Sequence, residues 1–479
     1  MSKFTLTIDE PLFRKLHEHL FPGDGDEHGA VIAAGIAETE SGYRLLAREV
    51  FLARDGVDYV PGQRGYRALT AQFVAEASHY CAEENLCYLA VHCHRGSDEV
   101  DFSGDDMRSH ERGYPALLDI TRGGPVGALV FAQNAIAGDI WTKRGRYQLE
   151  YATIVGTKIR KLYPRRSLNS KTADAIYDRN TRLFGDAGQE ILKNLKIGIV
   201  GLGGGGSLLN EWLARLGVGH IVAIDFDRID YTNLPRVVGA TRWDAKTFLT
   251  KSGSEVLRRI GEAFSTRKVF IAERVAKRAN PRIRFEPVVG NILDERIAKR
   301  LANVDFIFLA TDNIQSRLVF NALVQQYLIP GAQIGIKVPR EKDSQKIGEI
   351  TVNTRLVLPY PRGGCLECHD LIPPGKLQEE SLSHEELKRQ RYVDDEQVHE
   401  PSVITLNALS AAQAANDLMM LFTGLYENSV IPEHQVNFAR KREVMAVSPA
   451  CKEACPDCSN AKYSRRARGD RARLPCRAR

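Results

Sequence analysis

A buried strand that runs directly into a glycine-rich turn constrains this chain more than any other feature. The apolar run Ile197 to Val200 ends at Gly201, and Gly203, Gly204 and Gly206 follow before the pattern turns helical, with Leu208, Leu209, Trp212, Leu213 and Leu216 on one face and Gly217 as a stop signal. A strand–glycine turn–helix unit presents bare N–H groups at the positive end of a helix, where phosphate oxygens bind. Asp225 closes the next apolar strand, Ile221 to Ile224, where a carboxylate can accept hydrogen bonds from a ribose.

Glycines and one acid of this kind fit a dinucleotide-binding Rossmann unit, and with it an NAD-dependent oxidoreductase, equally well. The surrounding polar residues argue for other chemistry. A second acid at Asp227, Asn233 followed by Arg236, Lys268, and Asp312 with Asn313 and Arg317 beyond the apolar strand Phe306 to Ala310 gather cations and acids at one loop cluster. Hydride transfer needs no such crowd. Attack of a carboxylate on the α-phosphate of ATP does, because two anions must meet and the phosphate charge must be neutralised by Arg, Lys and Mg²⁺.

On these residues the segment from about 165 to 458 resembles the ThiF/MoeB/HesA adenylating enzymes, relatives of the ubiquitin-activating enzymes. The resemblance implies that Gly201, Gly203, Gly204, Gly206, Asp227, Asn233 and Asn313 line the nucleotide site with the ribose-binding Asp225. It further implies that Arg236 and Lys268 hold the phosphates and that Asp312 holds Mg²⁺. The stretch Tyr177 to Arg179 is similar to a family segment whose arginine, here Arg179, reaches the nucleotide site of the other subunit, which implies a homodimer.

Nine cysteines without a signal-peptide pattern at the N-terminus point to a reducing, cytoplasmic setting and not to a disulfide framework. Cys365 with Cys368 and Cys455 with Cys458 form two pairs at the spacing that lets four thiolates share a structural zinc; a redox pair is the competing reading of either alone. The adenylating family commonly carries such a site. Cys451 stands beside the second pair and is a minor candidate for thiol chemistry. The charged stretch 378–402 reads as a mobile loop and contains no cysteine, although thioester-forming and sulfur-handling relatives usually place one there, so acyl-adenylate formation is expected ahead of any thioester step.

The first 155 residues carry a separate constellation. The apolar strand Tyr88 to Val91 runs into His92 and His94, which alternate to the same side of an extended chain. Ser103 can cap a helix whose first turn carries Asp106, aimed back at the histidines. Two His and one carboxylate leave the fourth position of a zinc ion to water, the layout of a hydrolase. The pattern resembles the JAB/MPN (JAMM) metalloproteases, and the run after Glu27 is similar to their glutamate-led strand. The resemblance implies that His92, His94 and Asp106 bind zinc, Glu27 takes a proton from the bound water and Ser103 hydrogen-bonds the oxyanion. Arg95 replaces the family's usual proline after the second histidine, which bears on loop shape and not on the ligand set. A JAB domain that only docks its partner is the alternative.

The sequence therefore predicts an α/β protein: a JAB/MPN-like domain over 1–155, a linker over 156–170, a Rossmann-like ThiF adenylating domain with a structural zinc site over 171–460, and a basic disordered tail over 461–479. That tail holds eight basic residues against Asp470 alone, so the formal net charge of +6 belongs to the end of the chain and the body is near neutral. No stretch is long and apolar enough to span a bilayer, and neither membrane nor nucleic acid is an expected partner. The two resemblances together imply ATP, Mg²⁺ and two zinc ions as cofactors, and as partner a ubiquitin-like or sulfur-carrier protein ending in Gly-Gly, which this chain would activate and also trim or release from targets, with a conjugating enzyme as a possible further partner. A sulfur-transfer role in cofactor or natural-product synthesis is the alternative.

Overall fold

The computed structural model describes residues 3–40, 42–62, 67–165, 172–339, 347–359, 364–381, 401–427, 431, 433–447 and 451–477. The chain divides into two compact units. The first comprises residues 1–169, 325–328 and 462–473, and the second the remainder.

Among the described residues the first unit holds one sheet and three helices of its own. Its strands are β1 (Lys3–Asp9), β2 (Gly29–Thr39), β3 (Gly42–Leu52), β4 (Cys87–Cys93), β5 (Val126–Phe131), β6 (Ile136–Thr142), β7 (Gly145–Val155) and β8 (Arg160–Leu162); the helices are α1 (Glu10–Leu20), α2 (Ala71–Glu83) and α3 (Gly104–Ile120). The order is β1-β3-β2-β4-β5-β6-β7-β8, and β1 also pairs with β7, so the sheet returns on itself. Both of its faces bury apolar side chains. Leu6, Ile8, Ile32, Leu89 and Leu129 belong to one cluster, with Leu16 and Leu20 of α1; Val31, Ala33, Tyr88 and Ala128 belong to another, with Phe73 of α2 and Tyr114 of α3. Covering on both faces explains the near-continuous apolar runs of β2 and β5.

The second unit contains β9 (Lys196–Val200), β10 (His220–Ile224), β11 (Arg284–Val288), β12 (Phe306–Leu309), β13 (Gly331–Lys337), β14 (Thr351–Val357), β15 (His434–Phe438) and β16 (Glu443–Val447). Its helices are α4 (Asp178–Asn194), α5 (Gly204–Arg215), α6 (Thr247–Thr250), α7 (Glu255–Phe264), α8 (Lys268–Ala279), α9 (Glu295–Lys299), α10 (Ile314–Tyr327), α11 (Pro374–Ser381) and α12 (Ile404–Thr423), the last turn of α10 being counted with the first unit. Strand order is β11-β10-β9-β12-β13-β14-β15-β16, parallel from β11 to β13 and antiparallel beyond. The direction of winding reverses between β9 and β12. Loops at the carboxyl ends of strands flanking such a switch point form the ligand crevice of an open α/β sheet. The loops bearing Gly201, Asp225 and Asp312 all leave from that end.

The structure corrects two boundaries. Residues 160–162, expected in a linker, form β8 and pair with β7 through Ala152–Leu162 and Ile154–Arg160. The basic end, expected to be a disordered tail, is folded over 462–473 as part of the first unit. Ser464 and Ala467 are fully buried and Arg466 is 3% exposed. Two of its cations, Arg466 and Arg468, are consumed internally. Arg466 Nη1 lies 2.7 Å from Asp9 Oδ2, and Arg466 Nη2 donates to the Arg48 carbonyl at 2.8 Å. Arg468 pairs with Glu84 at 2.8 Å, and the Asp470 N–H donates to the Ile36 carbonyl at 2.7 Å. Counting charges missed this because a buried guanidinium with acceptors has the same composition as a solvated one.

Candidate functional site

In the second unit the glycine turn is fixed by close approach. Gly201 has φ +89°, and a Cβ on Gly206 would lie 1.8 Å from the Gly201 carbonyl oxygen, so only glycine closes the turn at that position. A Cβ on Gly203 meets nothing within 4 Å, leaving that backbone open to a ligand at the start of α5. Gly204 is packed beneath Asn407 of α12.

Asp225 is 8% exposed, and both its oxygens hold backbone: Oδ2 accepts from Leu202 N–H and Oδ1 from Asp227 N–H, each at 2.7 Å. The carboxylate thus ties the glycine turn to the end of β10 and keeps lone pairs for a further donor. Burial pushes its pKa up, opposed by Lys268 and the two N–H groups. Asp227 and Lys268, read separately in the sequence, form a direct pair, Nζ to Oδ2 2.7 Å. Arg236 is half-buried, with Nη1 donating to the Thr232 carbonyl at 3.3 Å, and Asn233 Oδ1 accepts from Asp230 N–H at 3.4 Å. Asp312 is exposed just past β12, and Asn313 Oδ1 accepts from Ser316 N–H at 2.7 Å, capping α10. Arg179 is exposed in the first turn of α4.

One participant escaped the sequence reading. Glu380, on α11, accepts from Ile314 N–H at 2.8 Å and Gln315 N–H at 2.9 Å, filling the N-terminus of α10 beside Asp312. It falls in the stretch read as a mobile loop, of which residues 382–400 lie outside the described residues. No local pattern marks a carboxylate that caps a helix more than sixty residues away.

Cys365, Cys368, Cys455 and Cys458 are brought together, and none is more than 6% exposed. Their sulfurs are 3.8 Å apart for Cys365–Cys368 and 3.5 Å for both Cys365–Cys455 and Cys368–Cys458. A tetrahedral zinc with Zn–S of about 2.3 Å sets its sulfurs about 3.8 Å apart, so the four thiols fit that ion. The Lys452 N–H points at Cys368 Sγ from 3.3 Å, the second contact that orients a thiolate ligand.

In the first unit, β2 and β4 run antiparallel with Gly29 opposite His92, and Glu27 and His94 lie just beyond that end of the ladder. His94 Nε2 is 4.0 Å from Glu27 Oε1, 3.2 Å from His92 Nε2 and 3.5 Å from Asp106 Oδ2; His92 Nε2 is 3.6 Å from Asp106 Oδ1. His94 Nδ1 faces the Asp101 carbonyl at 3.0 Å, which fixes its tautomer and leaves Nε2 free to ligate. The donor set of two imidazoles and a carboxylate around one point suits zinc. Ser103 caps α3: its hydroxyl donates to Asp106 Oδ2 at 2.7 Å, aligning that carboxylate. Burial works to raise the Asp106 pKa but is outweighed by hydrogen bonds with His92, His94 and Ser103, which hold it well below the usual carboxylate range. Burial raises the pKa of Glu27, with His94 and His92 opposing. Arg95 donates to the Gly25 carbonyl at 3.0 Å, bracing the loop that leads to Glu27. His110, one turn beyond Asp106, is buried and faces Asp139 at 2.9 Å.

Sheet, glycine turn and acid at the switch point define a nucleotide-binding α/β unit. The ThiF family model matches residues 177–460, and the chain belongs to that family. Molybdopterin-synthase adenylyltransferase of Escherichia coli K12 is 32% identical over 176 residues, 36% of this chain and 59% of that protein. Sulfur carrier protein adenylyltransferase of Thermus thermophilus is 27% identical over 193 residues, 40% of this chain and 60% of that one. The chain thus spans less than two thirds of the length of these relatives. A crystal structure of E. coli MccB superposes with a TM-score of 0.45 at 20% identity, over 61% of this chain and 74% of that one, a likeness too distant to bear on fold or function. Among the described residues no helix is long and apolar enough to cross a membrane.

Proposed function

We propose that the second unit adenylates the C-terminal carboxylate of a small sulfur-carrier or ubiquitin-like protein. A carboxylate oxygen attacks the α-phosphorus of ATP, the bond to the bridging oxygen breaks, and pyrophosphate leaves. The observation that carries the reading is the Asp225-anchored glycine turn with the Asp227–Lys268 pair beside it at the switch point of a ThiF-family sheet. In this reading the turn's N–H groups and Asn233 receive the phosphates, Asp225 accepts from the ribose, and Arg236 and Lys268 neutralise the leaving pyrophosphate. Asp312, with Asn313 at its side, holds Mg²⁺, which supplies further positive charge to the phosphates. Arg179 serves the site of a second copy in a homodimer. The names of the relatives favour a sulfur carrier as substrate over a protein-conjugation modifier.

A second reading, for the first unit, rests on the convergence of His92, His94, Asp106 and Glu27. There a zinc ion held by the first three would polarise a water, Glu27 would take its proton, and an amide bond following the carrier's Gly-Gly would be cut. Asp312→Ala should abolish ATP–pyrophosphate exchange and spare cleavage of an extended carrier, and Glu27→Ala should do the reverse. Loss of both activities from either substitution in folded protein would sink the two-site reading. Zinc binding with no cleavage of any extended carrier would leave the first unit as a docking domain.

A further inference from the structure

The four-thiol site has a fifth neighbour. Cys451 Sγ lies 3.0 Å from Cys458 Sγ, closer than Cys365–Cys368, Cys365–Cys455 or Cys368–Cys458. The four site thiols are buried, whereas Cys451 is partly exposed. Cys451 precedes Lys452, whose N–H reaches Cys368 Sγ and whose Nζ is 2.6 Å from Asp370, so this strand of chain is pinned against the site.

A tetrahedral ion uses four thiolates and leaves the fifth over. We propose that Cys451 is an oxidation site through which hydrogen peroxide opens the metal cage. The Cys451 thiolate attacks a peroxide oxygen, the O–O bond breaks, and Cys451 becomes a sulfenic acid as hydroxide leaves. Cys458 then attacks the Cys451 sulfur; the S–O bond breaks, hydroxide leaves again, and a Cys451–Cys458 disulfide remains. The two thiols lose two electrons, and one peroxide is reduced to two waters after proton uptake. With one of four thiolates withdrawn, zinc is held by three and is released. A dithiol reductant reverses the bridge and zinc rebinds. The partial exposure of Cys451 selects it as the first sulfur attacked, and its contact with Cys458 selects the resolving partner.

This inference rests on the four-thiol metal site and is independent of the adenylation reading. It is tested on the full chain in a His94→Ala background, so that the metal counted comes from the thiol site. Zinc released by hydrogen peroxide is followed with a chromogenic chelator, with and without Cys451→Ser. The expected result is equal zinc content before oxidation, release from the chain that keeps Cys451, and release several-fold slower after Cys451→Ser. Trypsin cuts after Lys452, so the bridge should join peptide 443–452 to peptide 453–462, with fragmentation placing the link at Cys458 rather than Cys455. Equal release rates, a link to Cys455, or loss of zinc from Cys451→Ser before any peroxide is added would each overturn the proposal, the last by making Cys451 a ligand.

Discussion

At the scale of single residues, side chains whose role depends on an immediate neighbour were legible, and those whose role depends on a distant one were not. His92 lies on β4 and His94 just past its end, and Ser103 caps the turn that carries Asp106, so local periodicity suffices to bring them together. Asp227 and Lys268 are separated by two helices, and their pairing exists only in the fold. Glu433 shows the same limit. It is 5% exposed, its Oε2 has no partner among the described residues, and burial alone lifts its pKa from 4.5 to about 8. The folded carboxyl holds its proton up to about pH 8, whereas the unfolded one releases it near 4.5. The native state therefore binds more protons across that window, and stability falls as pH rises through it. Glu433→Gln should match the parent below pH 4.5 and exceed it by on the order of 2–4 kcal/mol at pH 8. Denaturant melts at the two pH values check this; an equal gain at both would show that proton linkage is not the cause.

At the scale of elements, the glycine turn separates residues required for folding from those required for binding. Gly206→Ala would drive a Cβ into the Gly201 carbonyl, so the turn between β9 and α5 must open. Nucleotide binding and melting temperature should both fall. Gly203→Ala meets open space, so the fold should persist while a methyl group stands where phosphates approach. Calorimetric titration with ATP beside thermal melts distinguishes the two; loss of stability from Gly203→Ala would contradict the geometry. The strand-to-helix turn was legible because β9 is a short apolar run bounded by glycine. The capping of α10 by α11 through Glu380 was not, because a carboxylate on a short charged helix looks like any solvated acid.

At the scale of the whole molecule, composition misled about the end of the chain. Residues 462–473 bury Arg466 against Asp9 within the first unit, and removing one partner of such a pair leaves an uncompensated charge. Arg466→Ala should cost about 3–5 kcal/mol in the unfolding of the first unit. Deleting 462–479 should cost at least as much, where removal of a solvated tail would cost nothing; denaturant unfolding of the two variants reads the difference. The division into two units was visible from two unrelated constellations and a break in periodicity. The additional strand β8 was not, since three residues carry too little pattern to separate a strand from a connection.

The central claim is that the second unit activates a carrier's terminal carboxylate, and ATP–pyrophosphate exchange measures it directly. Purified full chain would be assayed with small sulfur-carrier and ubiquitin-like proteins, each supplied trimmed to a terminal Gly-Gly and with a C-terminal extension. Exchange that begins at once with a trimmed carrier and disappears in Asp312→Ala is the predicted result, with the extended form becoming active only after a Glu27-dependent lag. Binding of ATP without exchange for any carrier would contradict the account and place the acyl substrate in another chemical class.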